Sequence, residues 1–227
     1  MVRYVTTEEN TFNDFFKGPS LIFLTIIAPI SIFFYSKCMN IRMIAFLGNV
    51  GNTYTLTRHN SGMLFFSTIF QESQQSLQKK FHGLYGNSSI GTHQVKLLVP
   101  QTFMNESGKS VGAMAHFFNF SSEEILIIHD DLELPFTKVT LQKGGGLGGH
   151  NGLRSIVKDL GSKDFLRLRI GISRPKRGDV ASYVLSRFSQ EEEVMLPDVF
   201  NSGFSLIQQY LNSNPEDNLL PLSHSFL

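Results

Sequence analysis

The sequence predicts an α/β domain on three observations. Short apolar runs recur along the chain, stretches with apolar residues at helical spacing separate them, and glycine, proline and asparagine punctuate the boundaries. Alternation of this kind marks a sheet with helices packed against it. Residues 43–47 are a short apolar run ended by Gly48, which predicts a strand, and residues 61–71 carry the helical spacing. QVKLLV (94–99) and ILII (125–128) predict buried strands. Between them, residues 108–120 predict a helix with Val111, Met114, Ala115 and Phe118 on one face. Residues 138–142 alternate like a strand, 153–160 like a helix, and FLRLRIGI (165–172) like a further strand. Helices are predicted over 189–194 and 199–211, followed by a polar, proline-containing tail over 212–227.

A chain of 227 residues, 41% hydrophobic and 17% charged, is sized for one soluble domain rather than two. Its formal net charge of +1 neither demands nor excludes a nucleic-acid partner, because phosphate binding depends on a local basic patch. The single cysteine, Cys38, excludes an internal disulfide and cannot by itself build a zinc site. A reducing compartment and no structural metal are expected. Residues 1–38 stand apart. Their segment LIFLTIIAPISIFFY (21–35) is nearly all apolar, yet it is shorter than the roughly 20 residues of a spanning helix, and Pro29 interrupts it. Arg3 and Lys17 are set against Glu8, Glu9 and Asp14, so the positive start of a signal peptide is missing, and no A-x-A site follows. The expectation is an apolar leader or non-native extension over 1–38, with one domain over 39–227 that starts natively at Met39 or Met43. A membrane anchor and an added helix are the alternatives.

The chemistry follows the ends of the predicted strands. Asn49 follows the first, residues 101–105 follow QVKLLV, His129 and Asp130 follow ILII, and Asn151 follows the strand ending near Gln142. Ligands of open α/β sheets bind outside the carboxyl ends of the strands, so these four segments are expected to converge on one cleft. His59, in TRHN, is a candidate general base, because imidazole can take a proton from water at neutral pH. It could equally be a surface histidine before a helix capped by Asn60 or Ser61. Asp130 could simply begin a turn, or, set against His59, could fix the imidazole tautomer and stabilise the imidazolium. Asn49, Asn105 and Asn151 offer donors and acceptors that do not titrate, and each also has a local reading as a turn, cap or left-handed loop residue. Gly144, Gly146 and Gly149 satisfy G-x-G-x-x-G, but Asp159 and Asp164 lie too near the run to be the ribose-binding acid about 20 residues on. No nucleotide cofactor is expected, and the glycines are read as letting a loop fold closely over the site entrance.

Taken in order, FLGNVGNTYTLTRHN (46–60), PQTFMNESGKSV (100–111), EEILIIHDDLELP (123–135) and GGGLGGHNGLR (144–154) resemble bacterial peptidyl-tRNA hydrolases, a likeness that begins at Met43. The resemblance implies a single three-layer domain with a mixed, twisted β-sheet between helices. It implies hydrolysis of the ester between peptide and tRNA in the cytoplasm, by a monomer that uses no cofactor and no metal. His59 of the R-H-N tripeptide would be the base and Asp130 its orienting acid. Asn49, Tyr54, Met104, Asn105, His150 and Asn151 would contact the substrate, with Met104 as an apolar wall. Two departures stand out. Val50 replaces the proline of the usual N-P-G turn, and Thr140 and Gln142 fall where the family carries basic residues. Lys138 and Lys143 flank those positions and Arg169 matches a further cation, so these three are expected to bind tRNA phosphates. The competing reading is a catalytically silent RNA-binding or assembly protein on the same fold.

Overall fold

A computed structural model of the chain describes residues 40–175, 177–214, 217 and 219–225, so the expected leader lies outside the described residues. The elements, in order, are β1 (Met43–Phe46), α1 (Ser61–Ile69), β2 (Gln78–Lys80), β3 (Gly83–Ile90), β4 (His93–Pro100), α2 (Ser107–Phe118), β5 (Ile125–Asp131), β6 (Val139–Lys143), α3 (Asn151–Leu160), β7 (Leu166–Gly171), α4 (Val180–Val184), α5 (Gln190–Leu211) and β8 (Leu222–His224). The eight strands form one sheet in the order β2-β3-β4-β1-β5-β7-β6-β8. Its centre, β4-β1-β5-β7, is parallel. The flanking pairs β2-β3, β3-β4, β7-β6 and β6-β8 are antiparallel, so the sheet is mixed as expected.

Alternation along the central strands builds the three layers, since successive side chains point to opposite faces. Ile44, Phe46, Leu126 and Ile128 are buried in one cluster with Phe65 of α1 and Val199 and Phe200 of α5. Met43, Ala45, Ile125 and Ile127 belong to a second with Val111 and Met114 of α2 and Leu153 and Ile156 of α3. Continuous apolar runs such as ILII are what a strand buried on both faces requires.

Four expectations change. The β2-β3 pair is not legible in the sequence, because two of the three buried positions of GLYGNSSI are the glycines Gly83 and Gly86 and the strand lacks an apolar run. Residues 189–211 form one helix instead of two. A capping box starts it, with Ser189 Oγ accepting from the Glu192 amide, and Leu196, Val199, Phe200, Leu206 and Ile207 stay buried across Pro197. Burial of that stripe outweighs the one hydrogen bond that proline removes. The polar tail contains β8, whose Ser223 hydroxyl lies 3.0 Å from Thr140 Oγ1 of β6. Finally, β6 runs antiparallel to β7, with Lys143 opposite Leu166, so its carboxyl end lies at the far end of the sheet from the ends of β1 and β5. The glycine-rich segment 144–149 must climb back before Asn151 can join the other site residues.

Candidate active site

The loop after β1 and the start of α1 are pressed against the sheet. Gly62 makes this possible: a Cβ there would lie 2.5 Å from the Ile128 carbonyl oxygen and the Leu47 nitrogen. The close approach sets the short helical turn Arg58–Asn60 beside the end of β5. Buried Asn60 then ties loops together, its Oδ1 accepting from the Asn49 amide at 2.8 Å and its Nδ2 donating to the Asn49 carbonyl at 3.0 Å. The Asn49 side chain continues the chain by accepting from the Met104 amide at 2.8 Å. Since its Oδ1 is used, the Asn49 Nδ2 donor is what remains for a ligand.

At the centre, His59 Nδ1 lies 3.0 Å from both carboxylate oxygens of Asp130, and His150 Nε2 lies 3.1 Å from Asp130 Oδ1. Asp130 is 2% exposed. Burial alone would raise its pKa, but the adjacent His59 and His150 outweigh this and hold the carboxyl far below the usual carboxylate range. An ionised carboxylate only accepts, so His59 carries its proton on Nδ1 and Nε2 is left as the basic atom. Burial works to lower the His59 pKa, yet the Asp130 charge and hydrogen bond raise it above the ordinary imidazole value. The tautomer of His150 follows from α3, which it caps: Nδ1 accepts from the Gly152 amide at 3.1 Å and the Leu153 amide at 3.4 Å. An accepting Nδ1 carries no hydrogen, so Nε2–H donates to Asp130. Both nitrogens of His150 are thus engaged, which leaves ring face and carbon edge for any substrate.

His59, Asp130 and His150 present ligand-type atoms within 4.8 Å of one another, a cluster a cation could bridge. The hydrogen-bond directions do not suit one. Each imidazole turns a proton, not a lone pair, toward the carboxylate, and a metal on His150 Nε2 would require the opposite tautomer from the one α3 imposes. His129, the residue before Asp130, is 1% exposed, and its Nδ1 donates to the Asp130 carbonyl at 2.6 Å. Burial, with His150 nearby, lowers its pKa to about 3, so it is neutral, and its buried Nε2 has no partner.

These residues open on a cleft of about 780 Å³. Asn49, Tyr54, His59, Met104, Asn105, Asp130, His150 and Asn151 all line it, which is the convergence the sequence predicts. Met104 is 4% exposed and belongs to the second core cluster as well as to the cleft wall. Asn151 Oδ1 accepts from Arg154 at 3.3 Å, leaving the side-chain Nδ2 donors. The three expected phosphate ligands are not brought together. Lys138 and Lys143 flank opposite ends of β6, roughly 17 Å apart at about 3.3 Å per residue. Lys143 pairs with Glu123 at 2.6 Å. Arg169 donates to Asp131 and to Gln142, each at 2.7 Å. Thr140 is buried, whereas Gln142 serves as the partner of Arg169 and donates to the Gly144 carbonyl at 3.0 Å.

Sequence reasoning missed two groups. Val180, Ala181, Val184 and Leu185, on and after α4, form an apolar flank of the cleft. The one available signal was Asp179, whose carboxylate accepts from the Ser182 amide at 2.9 Å and caps the helix. In the sequence Arg167 is legible only as part of a strand. It is 2% exposed and donates to the carbonyls of Gly146, at 2.8 Å, and Gly144, holding the glycine segment that carries His150.

Residues 43–223 match the model of a protein family described as peptidyl-tRNA hydrolase. The peptidyl-tRNA hydrolase of Pelobacter propionicus is 44% identical over 175 residues, 77% of this chain and 91% of that protein. That of Coxiella burnetii is 45% identical over 177 residues, 77% and 92% respectively. Among solved structures, the peptidyl-tRNA hydrolase from Acinetobacter baumannii superposes with a TM-score of 0.68 at 37% identity, covering 78% of this chain and 91% of the other.

Proposed function

The chain belongs to the peptidyl-tRNA hydrolase family, and from that premise we propose that it hydrolyses the ester between a peptide and the 3′-terminal ribose of tRNA, with His59 as general base. The observation that carries the reading is the His59–Asp130–His150 arrangement, with Nε2 of His59 as the basic atom in the cleft. His59 takes a proton from water, the water oxygen attacks the ester carbonyl, and Asp130 stabilises the imidazolium. As the tetrahedral intermediate collapses, the same proton passes to the departing ribose oxygen, and the peptide leaves as its carboxylic acid, which gives up the second water proton to solvent. His150 acts on Asp130, preventing the carboxylate from rotating away from His59.

The amide donors of Asn105 and Asn151 hold water and substrate and offset charge on the carbonyl oxygen. Asn49 Nδ2 and Tyr54 recognise the peptide backbone and terminal nucleotide, and Met104 is the apolar wall. Lys138 and Arg169 contact tRNA phosphates, the latter at the end of its pair with Asp131, while Lys143 serves a structural pair with Glu123. The proposed catalytic domain is residues 39–227, and the proposed acting form is a monomer, with every group named drawn from one chain. Among the described residues no helix is long and apolar enough to cross a membrane. The proposed place of action is the cytoplasm, where a peptidyl-tRNA substrate arises at ribosomes. Release of N-blocked peptide from tRNA by the purified protein, with and without EDTA, tests the reading. Release insensitive to EDTA is expected; tRNA binding without release would favour the catalytically silent alternative.

A further inference from the structure

The R-H-N tripeptide supplies the base through His59 and the loop tie through Asn60, which leaves a buried cation, Arg58, without a part in the chemistry. Its side chain is 8% exposed, and it donates to both carboxylate oxygens of Glu192, at 3.0 Å and 2.5 Å. The guanidinium also lies 4.6 Å from the ring centroid of Tyr183 and 4.8 Å from that of Phe188. The backbone adds a further link, since the Arg58 amide donates to the Ser186 carbonyl at 3.0 Å and Thr57 bridges to Arg187. One residue thus joins the catalytic turn to α4, to the segment after it and to the first turn of α5.

What makes this informative is how little else holds α4. The helix has five residues and buries none of them, and Val180 and Leu185 are 38% and 42% exposed. Tyr183 and Val184 are its inward contacts, both partly buried against the first core cluster, and of these Tyr183 turns its ring to Arg58 and donates its hydroxyl to the Ile172 carbonyl at 2.6 Å. Helices this short have no stability of their own, so α4 keeps its place through tertiary contacts. A desolvated guanidinium clamped by a bidentate carboxylate and stacked on an aromatic ring is a strong and directional contact. We propose that Arg58 is a positioning residue that latches α4 to the catalytic turn, so that the apolar flank of the cleft and the general base keep a fixed spacing around the substrate. The proposal rests on the reading of His59 as the base. It assigns Arg58 to substrate fit and leaves the proton transfer to His59 and Asp130.

The geometry dictates the test. Arg58→Lys keeps the charge but loses the planar fork and the stacking, whereas Tyr183→Leu removes the ring from the α4 side and leaves the Arg58–Glu192 pair intact. Each should raise KM for peptidyl-tRNA about tenfold while kcat stays within about threefold, the pattern of lost binding without lost chemistry. The double variant should raise KM by less than the product of the two single effects, because both break the Arg58–Tyr183 contact. Hydrogen exchange in residues 180–187 should speed up in both singles ahead of any change elsewhere. Unchanged exchange in 180–187, or a lower melting temperature with wild-type KM, would overturn the proposal. Tyr183→Leu keeps the test decisive if Arg58→Lys folds poorly. The exchange measurement needs no substrate, so it separates failure of the latch from failure of the hydrolase reading.

Discussion

Asp130→Asn is the substitution whose consequences the geometry fixes most closely. The native carboxylate accepts from His59 and His150 at once, through oxygens that lie 3.0 Å and 3.1 Å from them. An asparagine has one acceptor oxygen and one donor nitrogen. If its oxygen serves His59, its NH₂ cannot accept from His150; if it is turned the other way, the NH₂ confronts His59 Nδ1 and favours the wrong tautomer. Loss of the negative charge acts in the same direction by removing what raises the His59 pKa, so the base becomes weaker. Oriented general-base catalysis is typically worth about 10² to 10⁴ in rate, and kcat is therefore expected to fall by a factor in that range, about 3 to 5 kcal/mol, with KM little changed. The pH profile supplies the sign. A base is active when unprotonated, so the wild-type rate should fall on the acid side through a pKa above 6.5, and that limb should move to lower pH in Asp130→Asn. Single-turnover release of N-blocked peptide from tRNA between pH 5 and 8 measures both. A rate within about threefold of wild type, or an acid limb that does not move, would refute the assignment.

Three further outcomes follow from the same structure. His129 is neutral in the fold with a pKa of about 3, against 6.5 when exposed, so the unfolded chain binds the extra proton between those values. That share of stability is complete above pH 6.5 and is lost as pH falls, about 2 kcal/mol by pH 5, and urea unfolding of His129→Gln at pH 7 and pH 5 should show a correspondingly smaller acid loss. Gly145 has φ +96°, and a Cβ there would lie 2.6 Å from Arg167 Nη2 and 2.7 Å from Gln142 Nε2. Gly145→Ala should cost about 1 to 3 kcal/mol in denaturant titrations and lower kcat by disturbing His150, and a neutral result would mean that Arg167 does not hold the glycine segment. Lys138→Ala should reduce the salt dependence of tRNA binding by about one unit in slope, and an unchanged slope would remove Lys138 from the phosphate contacts.

What the sequence made legible is what local pattern encodes. ILII reads as a strand buried on both faces, and the structure places it at the centre of the sheet. The cleft was anticipated because β1, β4 and β5 are parallel and end on the same side. The rule gave the wrong reason for Asn151, since β6 is antiparallel, and sheet direction is decided by long-range pairing that no local run specifies. The expected phosphate ligands show a related limit. Spacing shows that Lys138, Lys143 and Arg169 are cations, but only the fold shows that Glu123 and Asp131 are already their neighbours for two of them. Residues 180–185 carry no apolar period strong enough to read, because α4 depends on contacts with Arg58 and with Ile172, just after β7, rather than on a stripe of its own.

The central claim is that His59 Nε2 removes a proton from the attacking water. The most direct measurement is hydrolysis of N-blocked peptidyl-tRNA by His59→Ala under single-turnover conditions, with tRNA affinity determined on the same preparation. The account predicts a rate at least about 10³-fold below wild type with affinity within a few-fold, because the imidazole acts in the transition state and not in ground-state binding. Hydrolysis near the wild-type rate by a folded, tRNA-binding His59→Ala protein would contradict it.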